Sequence, residues 1–206
     1  MPDSRDMRQV RSVSSSFETR ADDKGDMYIE GYFAVFDSPY EVYAGCTETV
    51  APDAFDKALG GDIKALCDHD TRLVLGRTKA GTLTLRTDSH GLWGSIKINP
   101  NDQDAVNLYA RVQRGDVDQC SFGFDSVREE SEIRSDDSVH FTIREVVLYE
   151  VSVVTFPAYA ETSVSARQRE VAEIQKRKLD AWRMTARARL KGEKHGTEST
   201  DDQAEA

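Results

Sequence analysis

Cysteine is scarce in this sequence: Cys46, Cys67 and Cys120 make an odd count with no Cys-x-x-Cys spacing. That excludes a disulfide framework, and the three read as reduced thiols of a cytosolic protein. Long apolar runs are missing as well. None approaches the ~18 residues of a membrane-spanning helix, and the opening Met1-Pro2-Asp3-Ser4-Arg5 lacks the apolar centre of a signal peptide. Neither secretion nor a membrane partner is expected. Positive charge is in deficit: the formal net charge is -10, which speaks against nucleic acid as a partner. Gly-x-Ser-x-Gly is absent too, and with it the nucleophile elbow of the α/β-hydrolases.

What is present suits one domain with tails, at 206 residues. A core of ~130 to 150 residues would bury about two-thirds of its unfolded surface, enough to stand alone. Short alternating runs occupy residues 28–36, 40–50, 63–66, 73–76, 82–86 and 92–98, with turn residues between them. Such spacing predicts an all-β sandwich or barrel, with Gly31 marking a bulge or tight curvature in the first run. Pro52 before Asp53 to Leu59, stopped by Gly60-Gly61, predicts a short helix. Ala105, Leu108, Tyr109 and Val112 fall at helical spacing, with Gly115 as the end cap. Residues 141–143 and 146–155 read as strands after a polar loop over 129–139. Beyond Ser165 the composition changes. Residues 167–194 hold ten Lys/Arg against four acids, a net of +6 that leaves about -16 elsewhere, with Val171, Ile174, Leu179 and Trp182 on a loose helical face. The predicted organisation is a flexible arm over 1–26, a domain over 27–165, a basic helical segment over 166–191 and a disordered tail over 192–206.

Three stretches carry candidate chemistry. Gln119-Cys120-Ser121-Phe122-Gly123-Phe124 sets a hydroxyl in a strand pattern, Cys67-Asp68-His69-Asp70 ends an apolar run on a histidine, and Glu150 is a carboxylate inside the apolar run 146–154. A serine becomes a nucleophile when an imidazole takes its proton and a carboxylate on the far nitrogen fixes the tautomer. Each residue also has a bland reading. Ser121 fits a hydrogen-bonded strand serine and His69 a solvated turn histidine. Glu150 could face outward or pair with Arg144, and Glu145 and Asp125 are other acids in range. A carboxylate in so apolar a run is costly unless paired, which favours a role for Glu150. Cys67, Asp68, His69 and Asp70 are all metal-ligand types, but adjacent residues converge poorly on one ion and no second cluster completes a site, so no metal or other cofactor is expected.

These stretches together resemble the caudovirus prohead serine protease family, the capsid-maturation peptidases of tailed phages. The resemblance rests on Ala54-Phe55-Asp56-Lys57-Ala58-Leu59, His69 with Leu75-Gly76-Arg77, Ser121-Phe122-Gly123-Phe124, and Glu150-Val151-Ser152-Val153-Val154 running into Pro157-Ala158, over roughly residues 27 to 165. It implies a mainly β fold with peripheral helices (α+β), a small closed or partly closed barrel as in the herpesvirus assembly proteases. It implies Ser121 as nucleophile, His69 as base and acid, and Glu150 as the acidic partner. His140 is the second choice, since the herpesvirus enzymes use a histidine there. It further implies cleavage of scaffold and major capsid protein, and of the chain itself, inside the prohead in the host cytoplasm, with a homodimer or higher oligomer open. The alternative is a catalytically inactive structural or scaffold component with the same fold.

Overall fold

Period-two alternation produces strands wherever the sequence carries it. In this computed structural model, which describes residues 9–14, 17–156 and 161–195, eleven strands and two α-helices form among the described residues. The chain begins with β1 (Gln9–Ser14), β2 (Glu18–Ala21), β3 (Met27–Val35), β4 (Tyr40–Tyr43) and β5 (Cys46–Val50). A hairpin of β6 (Lys64–Cys67) and β7 (Asp70–Arg77) follows, then β8 (Leu83–Thr87) and β9 (Gly91–Lys97). Helix α1 (Gln103–Arg114) separates these from β10 (Gln119–Ile133) and β11 (Val139–Val154), and α2 (Glu161–His195) comes after them. Local chemistry fixes the ends of α1. The Asp102 carboxylate accepts from the Asp104 and Ala105 N–H groups, and Gly115 takes the left-handed conformation at φ 83°. Ala105, Leu108, Tyr109 and Val112 are its buried face, as their spacing predicts.

The strands form two sheets that share one core. The smaller runs β2-β3-β9-β8; the larger runs β1-β10-β11-β5-β4, with β6 joining β11 and β7 joining β6. β11 organises the larger sheet. One edge takes β10 antiparallel along its length, while the other takes β5 against Val139–Ile143 and β6 against Glu150–Val153, both parallel. Ile29, Phe33, Leu92 and Ile96 from the smaller sheet meet Phe122, Phe124, Val151 and Val153 from the larger. Of the predicted closed or partly closed barrel, closure is corrected here: among the described residues no hydrogen-bonded pairing joins the edges of the two sheets. Closure needs strand tilt and stagger that bring edge to edge, whereas these sheets bury their faces against one another and keep their edges.

Three further expectations change. Residues 9–14 and 18–21, read as a flexible arm, are strands because β10 and β3 supply edges for them. The loop predicted over 129–139 is the continuation of a long hairpin, turned at Arg134 to Ser138, where the Arg134 N–H donates to the Ser138 carbonyl at 2.9 Å. The helix predicted after Pro52 is a string of turns. Ala54, Asp56 and Ala58 each donate to the residue three before, and the Ala54 carbonyl accepts the Val146 N–H, which ties the segment to β11. Ala54, Phe55 and Ala58 stay buried, so the apolar pattern served packing and not a helix.

Contacts divide the chain into Met1–Ser165 and Ala166–Ala206. The second unit is helical through His195, with ion pairs Arg167–Glu170, Arg177–Glu173 and Arg183–Asp180 along it. Residues 196–206 of the predicted tail lie outside the described residues. No helix among the described residues is long and apolar enough to cross a membrane.

Candidate active site

The β6–β7 hairpin turns in two residues, Asp68 and His69, at φ 48° and 59°. Two-residue hairpin loops of this hand require positive φ at both positions; histidine pays strain there that glycine would not. The turn is held from outside. The Asp68 N–H donates to the Val153 carbonyl at 3.0 Å. Its carboxylate accepts the Thr155 N–H at 2.7 Å and the Thr155 hydroxyl at 3.1 Å. Asp68 thus pins the hairpin tip to the end of β11, and His69 is aimed back along that strand.

It meets Glu150. His69 Nδ1 lies 2.8 Å from Glu150 Oε1, and Glu150 is 1% exposed. A carboxylate only accepts, so the proton on this bond belongs to Nδ1, and proton exchange falls to Nε2. Glu150 Oε2 accepts the Ser152 hydroxyl at 2.6 Å, which fixes the carboxylate plane. Strand alternation explains the placement: Val151 and Val153 enter the core, so Glu150 and Ser152 share the opposite face of β11.

Ser121 stands on β10 directly opposite Ser152, with Ser12 of β1 opposite it on the other side. Directly opposed residues present side chains to one face. Ser121 therefore shares its face with Ser152 and Glu150, while Cys120 and Phe122 enter the core. It is fully buried at 0% exposure, and its hydroxyl donates to the Arg11 carbonyl at 2.8 Å. The structure brings His69 and Glu150 into direct contact; it sets Ser121 on the same side of the sheet with its proton directed to β1. Beside Glu150 lies a depression of about 480 Å³ lined by Lys64, Leu66, Val74 and Tyr149 among others.

The other candidates go elsewhere. His140 bonds Thr47 at 2.8 Å and Thr49 at 3.1 Å, and burial holds its pKa below the usual imidazole value. It pairs with Glu132, twelve residues along β11 from Ser152, about 40 Å of strand. The suggestion that it completes the site is corrected. Glu145 pairs with Lys57, Asp125 accepts from Tyr149, and Arg144 pairs with Glu130 instead of Glu150. Within the run considered for metal, Asp68 faces Thr155, His69 faces Glu150, and Asp70 faces Arg72, whose bonds hold the Asp70 carboxyl down at about 2.

Sequence reasoning passed over Ser152, Asp68 as a clamp, and the buried pair in which the Arg11 guanidinium of β1 donates to the Glu48 carboxylate of β5 at 2.9 Å. Alternation in Glu150-Val151-Ser152 was signal enough for the first. The others depend on which strands become neighbours.

A family model described as caudovirus prohead serine protease matches residues 15–177. The chain is 28% identical over 141 residues to the prohead protease of Enterobacteria phage HK97, covering 66% of this chain and 58% of that protein. It thus spans less than two thirds of that relative's length. The bacteriophage T4 capsid assembly protease shares the fold, at a TM-score of 0.52 and 12% identity, over 73% of this chain and 98% of that one.

Proposed function

Because this chain belongs to the caudovirus prohead serine protease family, we propose that it is a serine endopeptidase of capsid maturation in which Ser121, His69 and Glu150 do the chemistry. Ser121 Oγ attacks a peptide carbonyl, His69 takes its proton through Nε2 and returns it to the leaving amine, and Glu150 holds the imidazole and stabilises its charged form. The observation that carries this reading is the 2.8 Å bond between His69 Nδ1 and a Glu150 that is 1% exposed. Burying a carboxylate costs several kcal/mol unless it is paired, and packing alone gives an apolar strand no use for one. A non-enzymatic prohead component would draw no benefit from that bond.

The substrates in this reading are segments of the major capsid protein and scaffold, and the chain's own termini, cut inside the assembling prohead in the host cytoplasm. Assembly as a homodimer or larger oligomer is compatible with it. No cofactor takes part. Co-expression with capsid and scaffold proteins tests it: processing should be seen with the native chain and vanish with Ser121→Ala and with His69→Ala. Unchanged processing by Ser121→Ala overturns the assignment.

A further inference from the structure

β1 is the edge strand beside β10, so its backbone fills the hydrogen-bonding edge on which Ser121 lies. An edge of this kind is where an extended peptide adds to a sheet. Arg11 occupies it in two ways at once. Its carbonyl accepts the Ser121 hydroxyl at 2.8 Å. Its guanidinium runs to Glu48, which is 2% exposed, with Nη2 at 2.9 Å from Oε2 and Nε bonded to Oε1. The Phe124 ring centre lies 5.7 Å from the guanidinium carbon. The other guanidinium contacts come from β1 itself, the Val10 carbonyl and the Gln9 side chain, both at 2.9 Å. Holding a strand does not require this pair. Desolvating two charges costs about as much as their attraction returns, and an apolar side chain would anchor β1 as well. A buried carboxylate that grips a guanidinium in a fork, on the very residue whose carbonyl meets the nucleophile, has the form of a specificity pocket.

We propose, resting on Ser121 as the nucleophile, that β1 stands in the place of the substrate and that Glu48 selects the side chain before the scissile bond. The substrates are extended segments with Arg or Lys at that position, and the first of them is the chain's own Arg11–Ser12 bond. Ser121 Oγ bonds the Arg11 carbonyl carbon while its proton passes to His69. The Arg11–Ser12 C–N bond then breaks, and that proton goes to the Ser12 nitrogen. Water hydrolyses the ester, leaving a carboxylate on Arg11 and restoring the Ser121 hydroxyl. Since Ser121 is fully buried with β1 in place, this cut precedes any cleavage of other proteins.

The full chain is incubated beside Ser121→Ala and followed by intact-mass spectrometry and N-terminal sequencing. A form beginning at Ser12 should accumulate only from the native chain. Two extended peptides are then supplied, one bearing Gln-Val-Arg-Ser-Val-Ser and one with alanine in place of its arginine. The first should be cut about 100-fold faster, Glu48→Gln should bring the two rates within a few-fold, and the double variant Glu48→Arg with Arg11→Glu should restore self-cutting before Ser12. If Ser121-dependent cutting occurs with no arginine preference and no chain beginning at Ser12, this inference falls and the protease reading stands. If nothing is cut in a Ser121-dependent way, both fall. If Glu48→Gln slows the two peptides by one common factor, Glu48 holds the fold and has no selective role.

Discussion

Glu150 carries two duties, one on each carboxylate oxygen, and both depend on its remaining an acceptor. Replacing it by Gln keeps the shape but offers an N–H₂ group, so His69 can turn to the wrong tautomer. Glu150→Gln should leave a folded protein by circular dichroism and lower kcat by about 10² to 10⁴-fold; a drop below threefold removes Glu150 from the mechanism. Cys67 lies two residues before His69, and its burial, with the Asp68 carboxylate adding to it, pushes the thiol up to about 11. At pH 8 about one Cys67 in a thousand is then thiolate, too little for a nucleophile. Iodoacetamide should spare activity and a serine-directed phosphonofluoridate should abolish it. The reverse pattern would move the nucleophile to sulfur.

At the scale of elements, the hairpin tip between β6 and β7 is the part whose position matters most. His69 reaches Glu150 from a left-handed backbone conformation, and the Asp68 carboxylate helps to hold it by tying the turn to Thr155. Asp68→Ala cuts that tie without touching a reacting atom. It should lower kcat by about 10 to 100-fold with KM little changed, as expected of a group that positions another. Asp68→Asn, which keeps an oxygen acceptor, should recover part of the loss. Equal kinetics in all three forms would show that the turn holds itself. This element was half legible. An apolar run ending in Asp68-His69 announced a turn, but its left-handed geometry and its anchor at Thr155 come from β11, more than eighty residues further on.

For the molecule as a whole, acid is the condition that separates its charge pairs. Arg77 holds the Asp62 carboxyl far below the usual carboxylate range, and Arg72 holds Asp70 at about 2. Both values are depressed on folding, so both contributions are present above about pH 4 and fall away in acid, that of Asp70 being gone as pH approaches 2 and that of Asp62 only at still lower pH. Each is small, since both pairs are exposed and screened by salt. The urea midpoint should fall between pH 5 and pH 2.5, and Arg77→Ala should flatten that fall. A midpoint independent of pH over this range would mean that the two pairs do not bear on stability.

Local side-chain chemistry discloses most of the strands, the buried face and Gly115 end cap of helix α1, and His69, Ser121 and Glu150 as candidates, because alternation, capping and a carboxylate in an apolar run can be read without knowing the fold. Which elements become partners is settled in three dimensions. Whether strands close a barrel or share a core between two sheets, whether residues 53–59 coil or are stitched to β11, and whether β1 lies over Ser121 all depend on backbone donors and acceptors finding mates far along the chain. Those bonds are free to form with many partners in the unfolded chain, and burial of one common core selects among them.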